Sequence, residues 1–333
     1  MPSDLDTAIR NARRGIDERE SPIRRQLRDA YGRAVDALTG DLELMVQRIG
    51  AARAAGEDVS PDWLRRETRY RRLLADAERE FARFTDDGLR ILQRGQIASI
   101  SGGAAEAWEL METAGIDVGF GGRVNTIAVE NFVSALDPAS PLRGVLDSYA
   151  DNGATVIEKA LTKGIIKGTG PREIARQLRR ELKKGSTTAR LDALVVTTMM
   201  DSFRGSLNEQ YGRMRHLIQG YRRSCTKSIR TCLACLARDG HIQKDPHTDW
   251  HVNDRCIDTP VAIGSTFMPE TGEEWLSGQT EKTRRSMFPS QASYDAFQAG
   301  DVTLNDFVGI KRSKVWGPSI RELSGSEAMR RAG

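Results

Sequence analysis

Apolar side chains in the first hundred residues recur at the alternating spacing of four and three that packed helices show. The first run is Tyr31, Val35, Leu38, Leu42, Met45 and Ile49, and the second is Tyr70, Leu74, Ala77, Phe81 and Phe84. Ser21 with Pro22, and Ser60 with Pro61, are typical of helix starts, because serine caps the first turn and proline fits its first position. The pattern predicts an N-terminal helical hairpin or arm over 1–105, packed on its own chain or reaching a partner.

A glycine-rich stretch between about 99 and 123 predicts the boundary after this hairpin. The next segment, 123–220, is predicted to be a helical body, whose first short helices break at Asp137-Pro138 and Ser140-Pro141. Two longer helices are expected after these breaks: 171–185, with the buried stripe Ile174, Leu178 and Leu182, and about 187–215, with Leu191, Val195, Met199, Phe203, Leu207 and Tyr211.

The helical period disappears after Gly220, and the short β-like pieces "LIQGYRR" and "TPVAIG" flank a segment rich in cysteine and histidine. We therefore predict a Cys/His module containing β structure over 221–270. A tail of short helices is expected over 271–333, anchored by Trp275, Tyr294, Phe297, Phe307 and Trp316. The predicted fold class is mainly α, with a helical hairpin, a central helical body, a small irregular α+β module and a short-helix tail.

Composition and charge indicate the cellular compartment in which the protein is made. The 333 residues include 50 Lys and Arg against 46 Asp and Glu, for a net charge of +4. No apolar run approaches the ~20 residues that a membrane-spanning helix needs, and the N-terminus lacks the apolar core of a secretory signal. Four cysteines in a chain of this length do not suggest a disulfide scaffold, so we expect synthesis in a reducing cytoplasm and no membrane partner.

Three of the four cysteines and three of the four histidines lie between Thr231 and Cys256. The set Cys232, Cys235, His251 and Cys256 has the spacing of a closed site for structural zinc, which accepts thiolate and imidazole in a tetrahedral shell. Two other interpretations stay open: a redox Cys-x-x-Cys pair, and a buried cluster of cysteines without metal. Packing or surface roles are expected for Cys225, His216, His241 and His247.

Basic residues concentrate between 158 and 190, a range that contains ten Lys or Arg and three Glu. The side chains that would form a phosphate-contacting stripe on the 171–185 helix are Arg172, Arg176, Arg179, Arg180, Lys183 and Lys184. Such a stripe would neutralise a double-stranded DNA backbone without reading its sequence. The other interpretation is an ordinary solvated helix face.

Motifs of common catalytic sites are missing from the sequence, including G-x-S-x-G, H-E-x-x-H and the Walker A loop. The glycine cluster "GFGGR" at 119–123 lacks the Lys-Ser/Thr that follows in a phosphate-binding loop, so an ordinary loop is expected there. We predict that the protein is not an enzyme.

The segments "RTCLACLARDGHIQ" and "HVNDRC" resemble the signature of the phage head morphogenesis family, the phage Mu F-like minor capsid proteins. That signature is R-T-C-x-x-C-x-x-x-x-G followed by H-P-N-x-R-C. The residues of this chain that match it are Arg230, Thr231, Cys232, Cys235, Gly240, His251, Asn253, Arg255 and Cys256. The likeness covers about 158–320.

The chain departs from the family pattern at three places. Val252 replaces the usual proline, and Asp254 stands where many members have glycine or another cysteine. Thr197-Thr198-Met199 replaces a usual Arg-Thr-Glu triplet, so no role that rests on that arginine or glutamate carries over.

The resemblance implies a minor virion protein, present in several copies, that assembles with the portal and with capsid or scaffold proteins near the portal vertex of the head. Some members of the family associate with DNA. A second hypothesis is a cytoplasmic zinc-containing protein that binds nucleic acid and has no virion role.

Overall fold

A computed structural model of the chain describes residues 4–118, 140–182, 185–266, 268–313 and 317–333. Within these ranges the protein is mainly α-helical with two small antiparallel sheets, which confirms the predicted fold class. Several predicted features lie outside the described residues: the Asp137-Pro138 break, the "GFGGR" loop, Lys183 with Lys184, and Trp316. None of the described helices combines the length and the hydropathy that a membrane span requires.

The helices in chain order are α1 (Asp4–Ala37), α2 (Thr39–Ala54), α3 (Pro61–Arg66), α4 (Thr68–Thr113), α5 (Pro141–Ile166), α6 (Pro171–Leu182), α7 (Gly185–Arg213), α8 (Leu233–Arg238), α9 (Gly272–Ser277), α10 (Glu281–Met287), α11 (Gln291–Ala299) and α12 (Gly325–Ala332). The strands are β1 (Ile218–Ser224), β2 (Ile242–Gln243), β3 (Ile257–Ala262), β4 (Val308–Ser313) and β5 (Gly317–Glu322). Short 3-10 helices span Arg215–Leu217 and Leu304–Phe307.

The chain divides into two compact units, each assembled from separate stretches of sequence. Unit 1 comprises Met1–Arg19, Gln96–Val133 and Val196–Gly333, and unit 2 comprises Glu20–Gly95 and Ser134–Val195. The division therefore falls inside α1, α4 and α7, which are continuous helices.

Unit 2 is built from helices around an aromatic centre. Tyr31 lies against Phe84 with the rings edge to face at 5.4 Å, and Tyr149 of α5 approaches the same two rings at 6.3 Å. Offset and edge-to-face pairs of this kind add about 0.5–1.5 kcal/mol beyond their buried area. The predicted stripe of α6 is confirmed, because Ile174, Leu178 and Leu182 are all buried.

The two predicted start signals have different outcomes. At Ser60 the prediction is confirmed: the side chain accepts the Trp63 N–H at 3.2 Å, and Pro61 opens α3. At Ser21 it was wrong, because α1 begins at Asp4 and passes through Pro22. A proline inside a helix removes one backbone hydrogen bond. Apolar side chains on both sides of it keep the helix packed: Leu5, Ala8, Ile9, Ala12, Ile16, Ile23 and Leu27.

The two heptad runs differ from the prediction in different ways. The first bends at Leu38, between α1 and α2, although Leu38, Leu42, Met45 and Ile49 are buried as expected. In the second, Leu73 is fully buried in place of the predicted Leu74. This shift follows from the 3.6-residue turn, which places positions 70, 73 and 77 of α4 on one face.

The helix α4 ends within the predicted glycine-rich stretch, at Thr113, but it continues through Gly102 and Gly103 and does not end at these glycines. The reason is a close approach between helices of unit 1. A Cβ at Gly103 would lie 2.7 Å from the Phe203 carbonyl oxygen of α7, and one at Gly102 would overlap the Arg19 guanidinium. These glycines therefore permit packing within a helix and do not end it.

Unit 1 contains both sheets. β1 is central in the order β2-β1-β3 and antiparallel to both neighbours, with Tyr221 opposite Pro260 and Ser224 opposite Ile257. The two predicted β-like pieces are thus confirmed as β1 and β3. β4 and β5 form a separate antiparallel pair. The predicted stripe of α7 is buried, including Met199, Phe203, Leu207 and Tyr211 in unit 1.

Candidate metal centre

The cysteines of unit 1 are positioned by the start of α8 and the start of β3. Cys232 caps α8, and its sulfur accepts the Cys235 N–H at 3.4 Å. The next residue, Leu233, donates its N–H to Glu322 at 2.8 Å, which ties the start of α8 to β5. Cys256 immediately precedes β3, whose pairing with β1 fixes its position. Two segments about twenty residues apart in sequence are thereby held side by side.

Three buried groups converge at this point. One ligand atom each from Cys235, Asp254 and Cys256 lies within 4.8 Å of the other two, and this group could hold a metal ion. The Cys235 thiol is hydrogen-bonded to both Cys232 and Cys256, so the third predicted sulfur adjoins the group. All four cysteines of the chain are free thiols.

Asp254 occupies the place in this group that the sequence assigned to His251. Among the described residues the group does not include the His251 imidazole. The reason is the turn at 251–254: Asp254 donates its N–H to the His251 carbonyl at 3.2 Å, and Asn253 adopts a left-handed φ of 66°. This turn carries the Asp254 carboxylate to the thiols. Burial raises the pKa of the Glu322 carboxyl, and the hydrogen bond from Leu233 and the charge of nearby His251 offset part of this effect.

The thiols of the Cys-x-x-Cys pair differ in acidity. Hydrogen bonds with Cys232 and Cys256, together with burial, raise the pKa of the Cys235 thiol well above its usual value. The hydrogen bond from Cys235 instead lowers the pKa of Cys232, against the effect of burial. Burial, followed by the charge of Asp239, raises the pKa of Cys225.

Two buried arginines secure the loop that carries Asp254 and Cys256. Arg204 of α7 forms an ion pair with Asp254 and donates to the Cys256 carbonyl at 2.8 Å. Arg223 of β1 forms an ion pair with Asp249 at 2.8 Å. Both guanidinium groups lie over the ring of Trp250, at 4.2 and 4.4 Å, so this ring is held between two cations.

Two arginines near the thiols have buried N–H groups without hydrogen-bond partners in the described part of the chain, and these groups bear on whether the site suits a metal. Arg223 is 1% exposed, yet its Nε and Nη2 have no hydrogen-bond partner among the described residues, and neither has Arg13 Nε. The charges of Cys256 and Cys235 would act on Arg223, and those of Cys225 and Cys256 on Arg13. Metal binding deprotonates the thiols that hold it, so a metal on Cys235 and Cys256 would place negative charge close to these cations. The donor set and its surroundings therefore fit a bound metal.

Two further hydrogen bonds position this loop, and the sequence predicted neither partner. His247 is buried, and its Nδ1 lies 2.6 Å from the Asp258 carboxylate, which agrees with a packing role. Asn253 donates its N–H to Thr197 at 3.0 Å, so the first threonine of the atypical triplet supports the turn. Local spacing gave no sign of these pairings, because the partners lie 11 and 56 residues apart in sequence.

The predicted basic stripe on α6 is partly neutralised. Arg172, Arg176 and Arg180 are exposed, as expected. Arg176 and Arg180 both pair with Glu173 of the same helix, the second at 3.6 Å. Lys183, Lys184 and the side chain of Arg179 lie outside the described residues.

A metal bound by Cys235, Asp254 and Cys256 would join the loop before β3 to the first turn of α8. A site of this kind is buried and lined by protein donors, which is typical of a structural rather than a catalytic centre. No family model, no curated protein and no solved structure matches this chain.

Proposed function

We propose that the chain is a minor capsid protein of the phage head morphogenesis family, which assembles at the portal vertex and has no catalytic role. One observation carries most weight. The two halves of the sequence signature, separated by fifteen residues between Cys235 and His251, meet in space through Cys235 and Cys256. Residues that recur together in a motif and also pack together are expected to form one functional module.

The proposed metal is zinc. Thiolate ligands select zinc over magnesium or calcium, and a carboxylate is an accepted zinc ligand beside them. Cys235, Cys256 and Asp254 would hold it, with Cys232 as the adjoining fourth donor. When bound, zinc supplies a cross-link. The surrounding side chains, Arg204 and Arg223, orient the loop and offset the negative charge of the donors.

Reconstitution tests the virion role. The protein is mixed with the purified portal and major capsid proteins of the same phage and analysed by size-exclusion chromatography. Elution with the portal ring in multiple copies supports the proposal, and Cys235→Ser should weaken that association. Elution apart from both partners contradicts it. In that event, metal-dependent binding to nucleic acid would favour the second hypothesis, a cytoplasmic zinc-containing protein.

A further inference from the structure

Unit 2 carries a group of arginines where α3 ends and α4 begins. The five are Arg65, Arg66, Arg69, Arg71 and Arg72. All five side chains are exposed. Their α4 members fan over the solvent side of the helix, because the opposite side is buried through Tyr70 and Leu73.

The carboxylates at this end neutralise only part of the positive charge. Arg65 pairs with Asp62 at 2.7 Å, and Arg72 approaches Asp76 at 3.7 Å. Arg66 and Arg69 have no hydrogen-bond or ion-pair partner in the described part of the chain.

Three further charged residues lie at this end of unit 2: Glu67, Arg71 and Glu158. Glu67 is taken up by Arg48 at 3.0 Å. Arg71 has only a long hydrogen bond of 3.4 Å to the Thr68 hydroxyl. Burial raises the pKa of Tyr70, and the charge of Glu158 raises it further. Glu158 is therefore another carboxylate near this group.

The register of α5 on α4 adds a lysine to this group. Gly88 of α4 packs against Leu146 of α5, and Phe81 packs against Gly153. The contacts move seven residues back along α4 and seven forward along α5, so the helices are antiparallel. Extending this register by ten residues along both helices would bring Lys163 level with Arg71. Lys163 is exposed and has no ion-pair partner among the described residues.

The chemistry of this surface suits phosphate better than protein. Arginine presents a planar fork of donors that binds phosphate oxygens in pairs. Protein interfaces usually contain an apolar core, yet no large apolar side chain is exposed between 57 and 76, a range that the structure describes throughout. Ile166, on the last turn of α5, is the nearest exposed one by sequence to Lys163.

We propose that this basic end of unit 2, formed by Arg65, Arg66, Arg69, Arg71, Arg72 and Lys163, binds the sugar-phosphate backbone of double-stranded DNA without reading its sequence. The site is separate from the predicted stripe on α6, where Glu173 neutralises two arginines. The proposal does not depend on the virion role, because DNA binding and portal binding are measured independently.

Fluorescence anisotropy with a labelled random duplex of about 30 base pairs, over a series of salt concentrations, tests the proposal on the full chain. Arg66→Glu with Arg69→Glu should weaken binding about tenfold or more near 0.1 M salt. The same change should reduce the slope of log affinity against log salt by about two, one for each lost phosphate contact. The matched control is Lys282→Glu with Arg285→Glu, two exposed residues of α10, which should bind like the wild type.

Any of the following results would overturn the proposal: no DNA binding by the wild-type protein, equal DNA affinity of the two double variants, or displacement of the protein from labelled DNA by polyglutamate as effective as displacement by unlabelled DNA. The last would indicate an acidic protein partner. Arg71→Glu with Lys163→Glu provides a second variant if the first unfolds, and it should weaken binding similarly. Loss of binding only in Arg172→Glu with Arg176→Glu would place the DNA on the α6 stripe and would also contradict the proposal.

Discussion

Arg204 and Arg223 are the residues that hold the loop of Asp254 and Cys256 in place. Each is almost fully buried, each pairs with a carboxylate of the loop, and both pack on Trp250. The sequence predicted the cysteines of the centre because their spacing is local and regular. It did not predict Asp254 or the two arginines, because an aspartate two positions before a cysteine has no diagnostic spacing and its partner lies fifty residues away.

Replacing Arg204 tests this arrangement. Arg204→Met would leave the Asp254 carboxylate buried without its cation, so we expect a loss of about 3–5 kcal/mol in the free energy of unfolding. Arg215→Met is the matched control, because Arg215 pairs with the largely exposed Asp245 and should lose less than about 1 kcal/mol. Denaturant titration measures both. Equal losses would mean that Arg204 does not support the loop.

Glu106 gives unit 1 a dependence on pH. Burial raises the pKa of this carboxyl from 4.5 to about 7, although its ion pair with Arg19 at 2.8 Å lowers it in part. The folded state therefore binds the proton more tightly than the unfolded state, and stability falls as pH rises from about 4.5 to about 7.

The variant Glu106→Gln removes this titration. The free energy of unfolding of the variant, relative to that of the wild type, should increase by on the order of 2 kcal/mol between pH 4.5 and pH 8. The reason is that only the wild type must ionise a buried carboxyl. Urea unfolding at both pH values measures the difference. A stability difference that is the same at the two pH values would show that Glu106 does not titrate as described.

At the scale of elements, strong apolar periodicity was the most reliable signal. The stripes of α6 and α7 were predicted residue by residue, because burial on one face repeats with the helix turn. Proline and glycine were weaker signals, as Pro22 and Gly102-Gly103 show. Such residues often end helices, but here one is tolerated inside α1 and two permit close packing of α4. Whether a glycine ends a helix or packs it depends on a neighbour that the local sequence does not specify.

Gly103→Ala distinguishes these two roles of glycine. Alanine favours a helix by about 0.5–1 kcal/mol, but its Cβ would meet the Phe203 carbonyl oxygen at 2.7 Å, so we expect net destabilisation of about 1–3 kcal/mol. Gly144→Ala in α5 is the control, because nothing lies within 4 Å of its Cβ and the variant should be slightly stabilised. Thermal unfolding measures both changes. Stabilisation of both variants would contradict the close approach.

Over the whole molecule, the proposed metal centre and the basic end of unit 2 belong to different compact units. The centre lies among α7, α8 and β3 of unit 1, where it joins segments that are distant in sequence. The basic end lies on helices of unit 2, and none of its residues belongs to the candidate metal group. Chelation should therefore lower the stability of unit 1 and leave the DNA affinity of unit 2 unchanged, which separates a structural role of the metal from a role in binding.

The metal content of the purified protein decides whether the proposed centre exists. Elemental analysis at known protein concentration should find about one zinc per chain in the wild type and close to none in Cys235→Ser or Cys256→Ser. Folded wild-type protein that contains no metal, and that binds none when zinc is added under reducing conditions, would contradict the account. The cysteines would then be a buried thiol cluster held in place by Arg204 and Arg223 alone.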